Sequence, residues 1–143
     1  MSSLPPTSLA STLLQAARVD AAIFAGRSLA DGLLAKIEPR ARPAVQDLVY
    51  GSLRAYGRGD FVLARLLSRP LAQDEVRALL LVTLYRLESQ SHAAHTVVDQ
   101  AVAAAGEIAG GAFRALVNAV LRNFLRRQEE FLAALAGDPL GAA

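Results

Sequence analysis

The stretch "DEVRALLLVTLYRLE" (residues 74–88) decides the fold of this chain. Two acids open it, which suits the positive end of a helix dipole, and apolar residues then occupy nearly every position around the axis. A helix that is apolar all round has no face to give to water, so it belongs at the centre of a bundle. The flanking sequence then has to supply the amphipathic helices that cover it.

It does so on both sides. Upstream, Leu9, Leu13, Ala16 and Ile23 recur at helical spacing and predict a helix from about Thr7 to Ala25, with Gly26 as its stop. Ser28, followed by Asp31 three residues on, resembles a capping box and opens a short helix with the stripe Leu29, Leu33, Leu34 and Ile37. Pro43 suits the first turn of a third helix, whose buried face is Val45, Leu48, Val49, Leu53 and Tyr56. "YGRGD" (56–60) interrupts that helix, because two glycines one residue apart are poor helix interior; Asp60 then caps "FVLARLLS", which Pro70 ends. Downstream, "HTVVDQAVAAAG" (95–106) reads as a helix with Thr96 as N-cap and Asp99 facing the same amides. Gly110 and Gly111 separate it from a last helix over about 112–135. The tail "GDPLGAA" (137–143) reads as the start of a linker, which leaves 1–136 as one domain.

Composition agrees with an all-α bundle. The 143 residues are 53% hydrophobic and 6% aromatic, with no tryptophan and much alanine; mean hydropathy is +0.31. That mix favours close-packed helices over a β-sandwich and argues against disorder. With no cysteine, disulfides, thiolate metal sites and cysteine nucleophiles are excluded. The longest apolar run, 78–85, is too short to span a bilayer, and the first twelve residues lack the basic and apolar regions of a secretory signal. A soluble, cytoplasmic protein is expected. Catalysis within the chain is not. His92 and His95 lack a third ligand at metal-site spacing, the glycines fit no phosphate-binding loop, and the paired acids are sequence neighbours whose side chains diverge.

The charge pattern is more informative. Net charge is only +2, yet Lys36 is the single lysine, and arginine is the better planar donor to phosphate. In "RALVNAVLRNFLRRQEE" (114–130) Phe113, Val117, Val120, Leu121, Phe124, Phe131 and Leu135 share one core face. Arg114, Asn118 and Arg122 run along its border at i, i+4 and i+8, with Arg126 beyond. Steps of roughly 6 Å along a helix suit a phosphate backbone, although arginines bordering a core stripe also snorkel to water. Asn118, an amide in mid-helix, reads as a clasp that hydrogen-bonds another segment.

At these residues the sequence resembles the NusB-like RNA-binding fold. "HTVVDQAVAAAGEIAGGAFRALVNAVLRNF" (95–124) is similar to that family's paired helices, and "VQDLVYGSLRAYGRGDFVLARLLSRPL" (45–71) and "VRALLLVTLYRLES" (76–89) to its middle helices. The likeness covers about residues 8 to 135. Within it, "SLRAYGRGDFVLARLLSRPL" (52–71), "AHTVVDQAV" (94–102) and "LVNAVLRNFLRRQEE" (116–130) resemble the N-terminal domain of the RsmB (Sun/Fmu) branch of 16S ribosomal RNA cytosine-C5 methyltransferases. Two departures stand out. The family's asparagine–glutamate pair is Asp99–Gln100 here, and the N-terminal stretch offers only Arg18 where free-standing antitermination factors carry several arginines.

The resemblance implies an all-α bundle of about six to seven helices in two packed subdomains around 74–88, with a last helix that passes Leu125. It further implies a non-catalytic domain that binds and positions small-subunit ribosomal RNA for methylation, partnered in cis by a methyltransferase domain that this chain lacks. S-adenosylmethionine would then belong to that absent part, with no cofactor here and neither membrane nor DNA as partner. Arg18, Arg54, Arg58, Arg114, Arg122, Arg126 and Arg127 are the candidate RNA contacts, and Thr96, Asp99 and Asn118 the structural residues. A free-standing antitermination factor and a purely structural or protein-interaction module are the alternatives.

Overall fold

The structure, a computed structural model, describes residues 4–89 and 93–137. Seven α-helices and no strand occur among them: α1 (Leu9–Phe24), α2 (Arg42–Arg54), α3 (Tyr56–Leu66), α4 (Asp74–Ser89), α5 (Ala94–Ala105), α6 (Arg114–Arg126) and α7 (Gln128–Ala136). The all-α bundle expected from the sequence is what forms. His92 and all of the predicted linker except Gly137 lie outside the described residues.

The apolar helix is the hub. α4 packs against α1, α2, α3, α5 and α6, and Val76, Ala78, Leu79, Leu80, Val82 and Leu84 are at most 1% exposed. Its buried hydroxyl, Thr83, donates to the Leu79 carbonyl at 2.7 Å, so that polar group is satisfied within the helix itself. α1 packs on α2, α4 and α5, which ties the two halves of the bundle together. It starts at Ser8, whose hydroxyl oxygen accepts from the Ser11 amide at 3.1 Å. No helix among the described residues is long and apolar enough to cross a membrane.

Four local expectations are corrected. The predicted second helix reduces to a 3-10 turn, Leu29–Asp31: the capping box does form, but Gly32 at φ 78° turns the chain left-handed and ends it. The glycines of 56–60 do not interrupt a helix. The bend falls at Ala55, and α3 runs from Tyr56 through both glycines to Leu66. Gly59 is buried there because a Cβ would come within 2.8 Å of Leu81 Cδ2 on α4. Asp60 is accordingly an interior residue, paired with Arg77 at 2.6 Å, and not a cap. Tyr56 is half exposed instead of buried; it meets Phe24 edge-on at 5.5 Å and accepts from Arg77 at 2.7 Å.

Thr96 does not cap α5. The helix begins at Ala94, after Ala93 in the left-handed region at φ 61°, so Thr96 lies inside the first turn with its side chain exposed. The predicted last helix divides at Arg127 (φ −110°, ψ 16°) into α6 and α7. Its core face survives the break. Val117, Val120, Leu121, Phe124, Phe131 and Leu135 are all buried, and the Phe124 and Phe131 rings stack at 6.1 Å across it. Phe113 is only partly buried. α6 reaches Arg126 and so passes Leu125.

Candidate nucleic-acid interface

The outer border of α6 organises the first cluster. Arg122 donates through Nε to Asn118 Oδ1, one turn back, at 2.9 Å. Its Nη2 donates to Asp99 Oδ1 on α5 at 3.2 Å, and its Nη1 lies 3.4 Å from His95 Nδ1. Asn118 is therefore not a direct clasp onto another segment. It holds the guanidinium that joins α6 to α5, so its contact with the second helix runs through Arg122. The amide holds Nε, and the two terminal nitrogens reach Asp99 and His95, a fork whose exposed carboxylate partner a phosphate could replace.

Arg126, one turn further, is exposed and donates to Asn123 at 3.5 Å. Arg122, Arg126, His95, Ala94 and Leu125 together line a groove of about 420 Å³ between the start of α5 and the end of α6. This is where two of the candidate arginines converge. Arg114 belongs to the same row but sits at the other end of α6. Its side chain lies over Gly106 and Gly111, where a Cβ would come 3.5 Å from its Cδ and 3.2 Å from its Nε respectively.

The other four are dispersed. Arg18 on α1 donates to the Glu107 carbonyl at 3.3 Å and faces Glu75 at 3.5 Å. Arg58 on α3 grips Glu88 of α4 through Nε and Nη2, at 3.2 and 3.0 Å. Arg127 pairs with Glu130 and lies over the Phe131 ring, 4.7 Å from its centroid; that hydrogen bond holds the Glu130 carboxyl below its ordinary range. Arg54 ends α2, which packs on α1, α3 and α4.

Availability to a new anion separates these seven. Arg54 and Arg114 have no side-chain hydrogen bond or ion pair among the described residues. Arg126 has no carboxylate partner among them, and the Asp99 partner of Arg122 is 68% exposed, a class of pair worth about 0–1 kcal/mol. The Arg58–Glu88 pair is the most covered of those involving candidates, at 31% and 24%, and braces α3 against α4. Arg54, Arg114, Arg122 and Arg126 are thus the four that a phosphate can engage at little cost.

Two residues were missed by the sequence reading. Arg69 is exposed, lacks a side-chain partner among the described residues, and shares with Asn123 a groove of about 770 Å³ between the 66–73 loop and α6. Only its neighbourhood in space distinguishes it from ordinary surface. Tyr50 did leave a signal: it falls outside the Val45, Leu48, Val49 and Leu53 spacing, which already marks an aromatic turned away from the core.

Comparison with known proteins places residues 9–126 in the NusB family. Among curated proteins the chain is 39% identical over 133 residues to the ribosomal RNA small subunit methyltransferase B of Pseudomonas putida. It is 38% identical over 133 residues to that of Pseudomonas syringae pv. tomato. Both alignments cover 89% of this chain and 30% of the relative. The methyltransferase B of Vibrio cholerae is 38% identical over 109 residues, covering 73% of this chain and 25% of that protein. The chain therefore spans less than a third of the length of the relatives it matches.

Proposed function

Because the chain belongs to the NusB family, we propose that it is an RNA-binding module which positions small-subunit ribosomal RNA for methylation by a catalytic domain joined to it in cis. The relatives named ribosomal RNA small subunit methyltransferases support that substrate. The observation that carries the reading is the Arg122 arrangement, a guanidinium fixed by Asn118, weakly paired, and flanked by His95 and Arg126 along an open groove. Such a site grips a phosphate and a helical shape without reading base edges, which is positioning and not sequence selection.

Methyl transfer in such a protein would draw on S-adenosylmethionine. That cofactor would belong to the catalytic domain.

Arginine variants test the proposal. Arg122→Ala and Arg126→Ala are each expected to weaken binding of a small-subunit ribosomal RNA fragment about equally for every sequence tried, and to lower the salt slope by about 1 each. Arg58→Ala should leave the slope unchanged while lowering thermal stability, since its work is on Glu88. If the Arg58 change lowers the slope and the α6 changes do not, the interface has been placed on the wrong helix.

A further inference from the structure

We propose that the exposed face of α2 is a second nucleic-acid contact, on which a single-stranded nucleotide stacks its base on Tyr50 and lays its phosphate against Arg54. The proposal rests on the RNA reading above and adds a different surface and a different mode of recognition.

Three observations converge. Tyr50 is 39% exposed and, unlike Tyr56 with Phe24 and Arg77, has no ring or hydrogen-bond partner among the described residues. Arg54 follows it by four residues, one turn along the same face, and also has no partner among the described residues. Gln46 precedes it by four, giving a ladder of amide, aromatic ring and guanidinium at roughly 6 Å steps. The ladder lines a groove of about 550 Å³ together with Pro39, Arg42 and Pro43.

The chemistry of that groove is specific in class. Any base has a π-face, so an open tyrosine ring takes purines and pyrimidines alike. The neighbouring guanidinium supplies the phosphate contact, and Gln46 can both donate to and accept from a base edge. Among the described residues Asp47 is the one carboxylate lining the groove, against the two guanidiniums of Arg42 and Arg54. Arg42 is committed to the protein, since its Nη2 donates to the Ala35 and Ile37 carbonyls at 3.3 and 3.0 Å. The two proline rings keep the local backbone rigid. A duplex cannot use this site, because its bases are already stacked on one another; a loop or bulge can.

The chain has no tryptophan, so Tyr50→Trp installs a unique reporter at the stacking position. Adding a short single-stranded oligouridylate to this variant is expected to quench its fluorescence, and an RNA duplex of equal length to leave it unchanged. Tyr50→Ala in the full chain should weaken oligouridylate binding about ten-fold or more, Tyr50→Phe should bind as the unchanged chain does, and Arg54→Ala should lower the salt slope by about 0.7. No quench, together with an unchanged affinity of Tyr50→Ala, overturns the proposal. If ribosomal RNA binding still falls in Arg122→Ala under that outcome, the RNA reading stands and the α2 groove serves something other than nucleic acid. If the unchanged chain binds no RNA at all, both fall together.

Discussion

Replacing Asp20 by asparagine is expected to stabilise the folded chain at pH 8 by about 2–4 kcal/mol and to flatten its stability between pH 4 and 7. Asp20 lies on α1 with no exposed surface. Its Oδ2 is 2.6 Å from Ser52 Oγ, and its Oδ1 has no hydrogen-bond partner among the described residues. Burial pushes its pKa from 3.8 up to about 7, against the opposing hydrogen bond from Ser52. The oxygen geometry favours the neutral acid independently. Ser52 Oγ is also 3.1 Å from the Val49 carbonyl, and one hydroxyl hydrogen serves one acceptor. If Asp20 is protonated, it donates to Ser52 and Ser52 donates to Val49, so both contacts are satisfied.

The sign follows from proton counting. Between pH values near 4 and 7 the folded state holds this proton and the unfolded state does not, so stability falls as pH rises through that window. Above pH 7 the full cost remains, about 4 kcal/mol for a three-unit difference. Asparagine keeps the shape and removes the titration. Urea unfolding of both proteins at pH 5 and pH 8 measures it. An asparagine variant no more stable than the original at pH 8 would mean that Asp20 is ionised and paired in the fold.

A single methyl group at Gly51 is expected to cost about 2–3 kcal/mol. Helix propensity alone predicts the reverse, since glycine to alanine in a helix interior gains about 1 kcal/mol. Here the ring of Tyr85 on α4 lies against the bare backbone of α2, and a Cβ would overlap its Cε2, Cζ and Oη atoms. Three atoms of a rigid phenol ring overlap at once, so either the whole ring or α2 must shift, with the strain of an overpacked contact. Tyr85→Leu should remove the conflict, making Gly51→Ala neutral or stabilising in that background. Additive effects in this double-mutant cycle would show that ring and glycine do not touch.

These two sites mark the limit of what the sequence makes legible. The hub helix was readable because its apolar residues surround the axis. The α6–α7 core face was readable because periodicity survives a one-residue break. Glycine's meaning was not readable. Gly57 and Gly59 look like a helix stop, yet both lie inside α3, and Gly59 faces Leu81 of α4, a neighbour that only the packed structure reveals. Thr96 failed as a cap for a related reason: the chain turns left-handed at Ala93 and starts α5 before the threonine. The arginine row was visible as a helical spacing. Which of its members are held by carboxylates, as Arg58 is by Glu88, depends on helices distant in sequence, and so does the role of Asn118 as a prop for Arg122.

The central claim, that this bundle grips RNA through its unpaired and weakly paired arginines, is tested most directly by binding of the chain to a small-subunit ribosomal RNA fragment across a salt series. Engagement of Arg54, Arg114, Arg122 and Arg126 predicts a log–log slope of about −3, at roughly 0.7 to 0.9 per phosphate contact. No binding at low salt, or an affinity indifferent to salt, would contradict the claim and leave the arginines as solvated surface.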